Sequence, residues 1–200
     1  MHGLVNRSIE RFVRDTYGRE VWIETIRELD LGFTEFEAMM LYEPEVTERL
    51  LAAVAASLGR GHDDLLEDIG TYLISNPQSG ALRRLLRFSG VDFVDFLHSL
   101  EDLPERARLA VADLDLPPLD LEDLGAGRYC LRIGLTGRPQ LCLGPVMMGI
   151  LRAMADDYGA LVLMAYQGAR DGHEWIEIHL LEEAFADGRA FDLSIGGVRE

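Results

Sequence analysis

VDFVDFLHSLEDLPERARLAV, from Val91 to Val111, is the most informative stretch of this sequence. Its apolar residues recur at steps of three and four, which is typical of a helix with one buried face. They are Phe93, Phe96, Leu97, Leu100 and Leu103. Pro104 stands where this face should continue, and a proline inside a helix costs about 3 kcal/mol. Because Asp102 and Glu105 have the spacing of an acidic N-cap signature, we expect the helix to kink or restart at Asp102 to Pro104.

Four segments, spread in order over about residues 1 to 180, carry a resemblance to a known family. They are MHGLVNRSIERFV with the following Tyr17-Gly18, GHDDLLEDIGTYLI, DFLHSLEDLPERA, and RIGLTGRPQL with the apolar helix after it. Together they resemble the H-NOX family, the heme nitric-oxide/oxygen binding domains. The resemblance implies that heme would lie between a helical and a mixed part of the fold.

The family's heme ligands set the expectation for the site. Members bind iron through a histidine on the third of these segments and hold the propionates with a Tyr-x-Ser-x-Arg motif. In this chain the histidine position falls on Pro104. Aligning Arg138 with the motif arginine puts Thr136 at the serine and Gly134 at the tyrosine. The guanidinium and a hydroxyl are kept, whereas the imidazole and the phenol are lost. A surface arginine that ends a strand is the alternative interpretation of Arg138.

The same resemblance implies which residues line the pocket. Leu97 and Leu100 share the Pro104 face, Leu143 and Met147 lie on the opposite segment, and Pro117 matches a family proline that presses on the heme. Burying such apolar side chains contributes about 1.5–3 kcal/mol each, so collapse is favoured where no macrocycle separates the walls. We therefore expect a pocket smaller than a heme, lined by leucine and methionine, with the Arg138 side chain near its mouth.

Other side chains could ligate iron in place of the missing histidine. His98 lies six residues before Pro104, about 240° around an ideal helix and roughly 9 Å along it, so it should face elsewhere. Methionine also ligates heme, but methionines at helical spacing are more often core residues. Cys130 and Cys142 are twelve apart without clustered histidines, so no metal site is expected. The best prediction is therefore no cofactor, with heme b as the alternative.

Composition narrows the class of protein and its partners. Nineteen basic and 35 acidic side chains give 200 residues a formal charge of −16, which repels phosphate backbones and anionic lipid. Nucleic acid and membrane surfaces are therefore not expected as partners. Two cysteines indicate reduced thiols, and no apolar run reaches the roughly 18 residues of a membrane span, so the chain is expected to be cytoplasmic. Sequence motifs typical of enzymes are absent. The neighbouring carboxylates of Asp156 and Asp157 could suggest acid–base chemistry, but they are interpreted as a solvated helix end.

The periodicity along the chain predicts an α+β fold. A helical part, 1–112, precedes a mixed part, 128–183, in which a small antiparallel sheet is crossed by one helix. These parts form one sensory domain, 1–183. Residues 113–127, rich in acid and proline, are interpreted as an extended connector. Residues 184–200 are interpreted as a loosely held tail.

Two functional hypotheses follow from the resemblance. In the first, this is a stand-alone bacterial sensory or regulatory domain, heme-free or with non-canonical ligand binding, whose apolar cavity is filled by side chains or takes a non-heme ligand. It acts through a signalling protein, such as a histidine kinase or a cyclic-dinucleotide enzyme. In the second, it binds heme through an unusual axial ligand and senses nitric oxide. The first hypothesis is favoured, because the histidine and the tyrosine are both missing. A Pro104→His change, alone or with Gly134→Tyr, should then raise heme affinity.

Overall fold

The computed structural model of this chain describes residues 1–76, 80–87, 90–111, 113–135 and 142–188. Within these ranges, seven helices come first: α1 (Gly3–Thr16), α2 (Arg19–Glu28), α3 (Pro44–Leu58), α4 (His62–Ser75), α5 (Gly80–Arg87), α6 (Phe93–His98) and α7 (Leu103–Ala110). The mixed part follows, with β1 (Leu119–Gly125), β2 (Arg128–Gly134), α8 (Leu143–Tyr158), β3 (Leu161–Arg170) and β4 (His173–Glu182). This architecture confirms the predicted α+β class.

Local residue chemistry sets several helix ends. Pro44 opens α3, where its fixed φ suits the first turn and its missing N–H would have no intrahelical acceptor. Gly59 and Gly159 close α3 and α8 in the left-handed conformation, with φ of 60° and 74°. At the start of α1, the His2 Nδ1 atom accepts a hydrogen bond from the Leu4 amide at 3.2 Å. These signals are local, which explains why the sequence predicts most helices.

The four strands form one antiparallel sheet in the order β1-β2-β4-β3. Leu131 of the central strand β2 pairs with Leu121 on one side and with Ile176 on the other. The interpretation of residues 113–127 as a connector is wrong over β1, because Leu119 and Leu121 alternate with exposed acids and are buried. The strand was missed because prolines and carboxylates, which are typical of loops, surround this short alternation. The mixed part of the fold thus begins before residue 128.

The fold has two apolar cores, and the packed helices α4 and α8 lie where the two cores meet. The N-terminal core is built from α1 to α4 around Trp22 and Phe36. The C-terminal core is built from α5 to α8 and the inner face of the sheet. Gly70 of α4 and Gly149 of α8 let the two backbones touch, since a Cβ atom on either would overlap the backbone of the other helix. This glycine contact joins the two cores.

The residues after β4 run beside the end of α8. Residues 183–188 are exposed, and the Ala186 amide donates a hydrogen bond to the Gly159 carbonyl at 3.0 Å. The predicted tail, 184–200, is described as far as residue 188, and 189–200 lie outside the described residues. Among the helices described, none has the length and apolar character needed to cross a bilayer.

Candidate functional site

The chain breaks its helix at Pro104, as predicted. α6 ends at His98, and α7 begins at Leu103 with Asp102 in the N-cap position. Pro104 is therefore buried in the first turn of a new helix, where N–H groups have no intrahelical acceptor and the missing N–H of proline removes no hydrogen bond. The penalty of a mid-helix proline is avoided. The expected cap is wrong in one respect, because the Asp102 side chain makes no capping hydrogen bond.

The predicted pocket walls belong to a single apolar core. Leu97 of α6 and Leu100 in the turn after it are fully buried, Met147 of α8 is buried, and Leu143 at the start of α8 is half-buried and packs against the same core. Helices α6 and α8 contact each other within it. At about 1.5–3 kcal/mol for each buried side chain, this packing stabilises the closed arrangement.

The end of β2 has no room for the aromatic ring that the resemblance implies. Gly134 is buried, and its amide donates to the Pro118 carbonyl at 2.9 Å. A Cβ atom on Gly134 would lie 2.7 Å from Pro118 Cγ, closer than real Cβ contacts. Pro117, expected to close one side of the pocket, is buried next to this contact. A tyrosine at Gly134 therefore requires Pro118 to move.

Two residues of the predicted propionate site fall outside the described part of the chain. They are Thr136 and Arg138, which follow β2. Their proposed contact with a propionate and the position of Arg138 near the mouth of the pocket stay predictions. The described chain stops just before them at Leu135, whose amide donates to the Gly172 carbonyl at 2.9 Å.

The described residues around Pro104 do not fit a heme bound through a proximal imidazole. A proline side chain has no donor atom that could ligate iron, and Pro104 is buried in the first turn of α7. His98 is exposed, with its ring edge-on to Tyr129 at 6.1 Å between centroids, so it faces elsewhere, as predicted. Across the described ranges, no three His, Cys, Asp or Glu side chains are grouped so as to hold a metal ion.

A buried carboxylate that the sequence interpretation missed lies at the start of α8. Glu174 of β4 is 1% exposed. Its Oε2 atom accepts from the Leu143 amide at 2.9 Å, and its Oε1 atom accepts from the Gly144 amide at 3.0 Å and from the Tyr166 hydroxyl at 2.6 Å. A negative charge at a helix N-terminus is favourable. The sequence contains a hint of this burial, because Glu174 falls on the same face of the strand as the buried residues Ile176 and Ile178.

This carboxylate changes the chemistry of its neighbours. Burial, followed by the hydrogen bond to Glu174, raises the pKa of the Tyr166 hydroxyl, which therefore stays protonated. Burial also raises the pKa of the Cys142 thiol, and the Glu174 charge adds to that effect. The thiol is thus a poor nucleophile. The first two amides of α8 are already bonded to Glu174, so they are not free to hold an anionic ligand.

A second buried carboxylate holds the other end of α8. Asp157 is 1% exposed and pairs with the Arg83 guanidinium of α5. The Arg87 guanidinium of the same helix lies 4.7 Å from the centre of the Tyr158 ring. The expectation of a solvated Asp156–Asp157 pair is therefore right for Asp156, which is exposed, and wrong for Asp157. Helix α8 is tied down at both ends.

Comparison with known proteins agrees with this architecture. A family model described as haem-NO-binding matches residues 2–165. Soluble guanylate cyclase 89Db of Drosophila melanogaster is 23% identical over 168 residues, which cover 83% of this chain and 24% of that protein. The chain thus spans about a quarter of the length of this curated relative.

Two solved structures show the same fold. An unliganded Fe(II) H-NOX protein from K. algicida is 16% identical, with a TM-score of 0.77 over 94% of this chain and 100% of the other. An H-NOX protein from S. oneidensis in the Fe(II)NO state is 18% identical, with a TM-score of 0.74 over 91% and 100%. With a family match that covers most of the chain, the protein belongs to the H-NOX family of heme-based gas-sensor domains.

Proposed function

We propose that this chain is an H-NOX regulatory domain that works without heme and acts by binding a signalling protein. The observation that supports this most is the buried Pro104 in the first turn of α7, at the position that the resemblance gives to the family histidine. Proline cannot ligate iron. Heme binding would also require the packed contact between α6 and α8 to open, at the expense of buried leucine and methionine surface.

Protein contacts take over the role of the rigid macrocycle in this proposal. Glu174 fixes the first turn of α8 and Asp157 fixes the last. The glycine contact with α4 fixes the middle of the same helix. A pocket-lining helix held at three points gives the domain one stable shape, which suits a binding or scaffold module. Following the family, the partner would be a histidine kinase or a cyclic-dinucleotide enzyme.

A second function is favoured by the family match itself, which includes the whole predicted site up to residue 165. In this alternative, the domain binds heme through an unusual ligand such as Met147, which is buried in the C-terminal core. By the resemblance, the distal tyrosine that hydrogen-bonds oxygen in some members falls on Leu143, nine residues past Gly134, and leucine has no donor. Such a heme would bind nitric oxide or carbon monoxide in preference to oxygen.

The visible absorption spectrum separates the two functions. Purified wild-type protein, before and after addition of stoichiometric hemin, is expected to show no intense Soret band. Pro104→His supplies the missing imidazole and should show one. Leu109→His is the matched control, because Leu109 is 89% exposed on the same helix α7 and a histidine there reports non-specific hemin binding. A stoichiometric Soret band in the wild type would establish the second function and refute the first.

A further inference from the structure

The strand β3 is a long, uncharged edge of the sheet. It pairs with β4 on one side, and within the described ranges no strand lies on its other side. None of its first nine residues, 161–169, is charged, in a chain whose formal charge is −16. Edge strands present unpaired N–H and C=O groups and are usually protected by charge, by bulges or by a cover.

The opposite edge of the sheet has this protection. β1 carries the carboxylates of Asp120, Glu122 and Asp123. The amide of Leu121 donates to the Glu101 carboxylate at 3.0 Å, so the turn before α7 covers this edge. On β3, bulges interrupt the two ends and leave the segment 162–166 regular. The two edges of one sheet thus differ in charge and in cover.

An apolar groove runs beside β3. It has a volume of about 390 Å³ and lies between the strand and α8, where Ala155, Val162 and Met164 form its walls and Arg152 and Asp156 stand at its rim. Leu163 points to the other face of the sheet and is 60% exposed. Apolar surface on both faces of an unpaired edge strand is characteristic of strand addition.

We propose that β3 pairs with β3 of a second copy of this chain, antiparallel about a twofold axis. Centred on Met164, this pairing sets the large Leu163 opposite the small Ala165 of the other copy. It brings Val162 of each copy next to Tyr166 of the other on the α8 side. Such same-face pairs across strands stabilise sheets. The contact is isologous, so it closes at a dimer with an eight-stranded sheet.

Charge favours a second copy as the occupant. Two chains of charge −16 repel each other, and the uncharged β3 is a place where they can meet without facing carboxylates. The Arg170 guanidinium lies over the Trp175 ring of its own chain at 4.7 Å, so the contact depends on the uncharged residues 161–169 and not on this cation. The short regular segment predicts a weak dimer.

Sedimentation equilibrium over a wide concentration range tests this proposal. The wild-type mass should rise from 22.4 kDa towards twice that value. Leu163→Lys brings two cations close together across the twofold axis and should weaken dimerisation at least tenfold. Leu124→Lys is the matched control, because Leu124 is 47% exposed on the opposite edge and the charge change is the same. Both variants alter exposed positions, and circular dichroism verifies that they fold.

Hydrogen exchange gives an independent readout on the same strand. Those amides of residues 162–166 that point away from β4 should exchange more slowly as the concentration rises, and the amides of β1 should not change. A wild type that stays monomeric at the highest concentration overturns the proposal. So does a dimer that Leu163→Lys leaves intact. Protection of these amides that does not depend on concentration would mean that another segment of the same chain covers the edge, which also overturns it.

Discussion

Replacing Glu174 by glutamine is expected to destabilise the fold by about 2–4 kcal/mol. The glutamate carboxylate accepts three hydrogen bonds, from the amides of Leu143 and Gly144 and from the hydroxyl of Tyr166. Glutamine has nearly the same shape but keeps one acceptor oxygen. Its NH₂ group must face a donor, so at least one bond is lost together with the negative charge.

The magnitude follows from the burial of this group. A hydrogen bond to a charged group contributes about 1.5–3 kcal/mol, and an anion at a helix N-terminus contributes about 0.3–1 kcal/mol, or about 2 when partly buried. Glu174 is 1% exposed, so water cannot replace the lost acceptor. The losses partly overlap, because the same charge strengthens the bonds and interacts with the helix. This overlap sets the range of about 2–4 kcal/mol.

Urea unfolding followed by far-ultraviolet circular dichroism measures this loss as a fall in the unfolding midpoint at constant m-value. Glu177→Gln is the matched control, since Glu177 lies on the same strand, is exposed and loses the same charge. It should change stability by no more than about 0.5 kcal/mol. If Glu174→Gln behaves like this control, the carboxylate does not hold the start of α8 and the reasoning fails.

Three further predictions follow from the same geometry. Gly134→Ala should lower stability by about 1–3 kcal/mol, because its Cβ atom would crowd the Pro118 ring; an unchanged urea midpoint would contradict this. Pro104→His should raise hemin affinity at least tenfold in a Soret titration, and adding Gly134→Tyr should lower stability without a further gain; a wild type that binds as tightly would show that Pro104 is no obstacle. The pKa of Tyr166 is raised in the folded state, so the contribution of this hydroxyl to stability is complete below the unfolded tyrosine pKa of about 10. The contribution is lost as the pH rises through the folded pKa. In urea unfolding at increasing alkaline pH, Tyr166→Phe should therefore lose less stability than the wild type.

The parts of this fold that depend on neighbours in sequence could be predicted. The restart at Pro104 follows from local helix chemistry, and so do the helix ends at Gly59 and Gly159. β1 was missed because a seven-residue strand with two buried leucines gives a weak alternation among acids and prolines. Its strand character comes from pairing with β2, which no local signal contains.

The buried carboxylates were missed because their partners are distant in sequence. Glu174 bonds to an amide 31 residues away, and Asp157 pairs with Arg83 74 residues away. A carboxylate on an apolar strand face is a hint, but whether it is buried depends on the donors that the fold brings to it. The crowding of Gly134 by Pro118 also depends on how the chain before β1 packs against the end of β2. The sequence could therefore show that the tyrosine is missing, but not that the space for its ring is missing as well.

The central claim is that side chains fill the place of heme between α6 and α8. Methyl NOE spectroscopy of the wild type, incubated with hemin, tests it most directly. The account predicts cross-peaks that connect the methyl groups of Leu97 and Leu100 to those of the α8 methionines, unchanged by hemin. Loss of these cross-peaks with porphyrin ring-current shifts on both helices would contradict it, because a macrocycle would then separate the two walls.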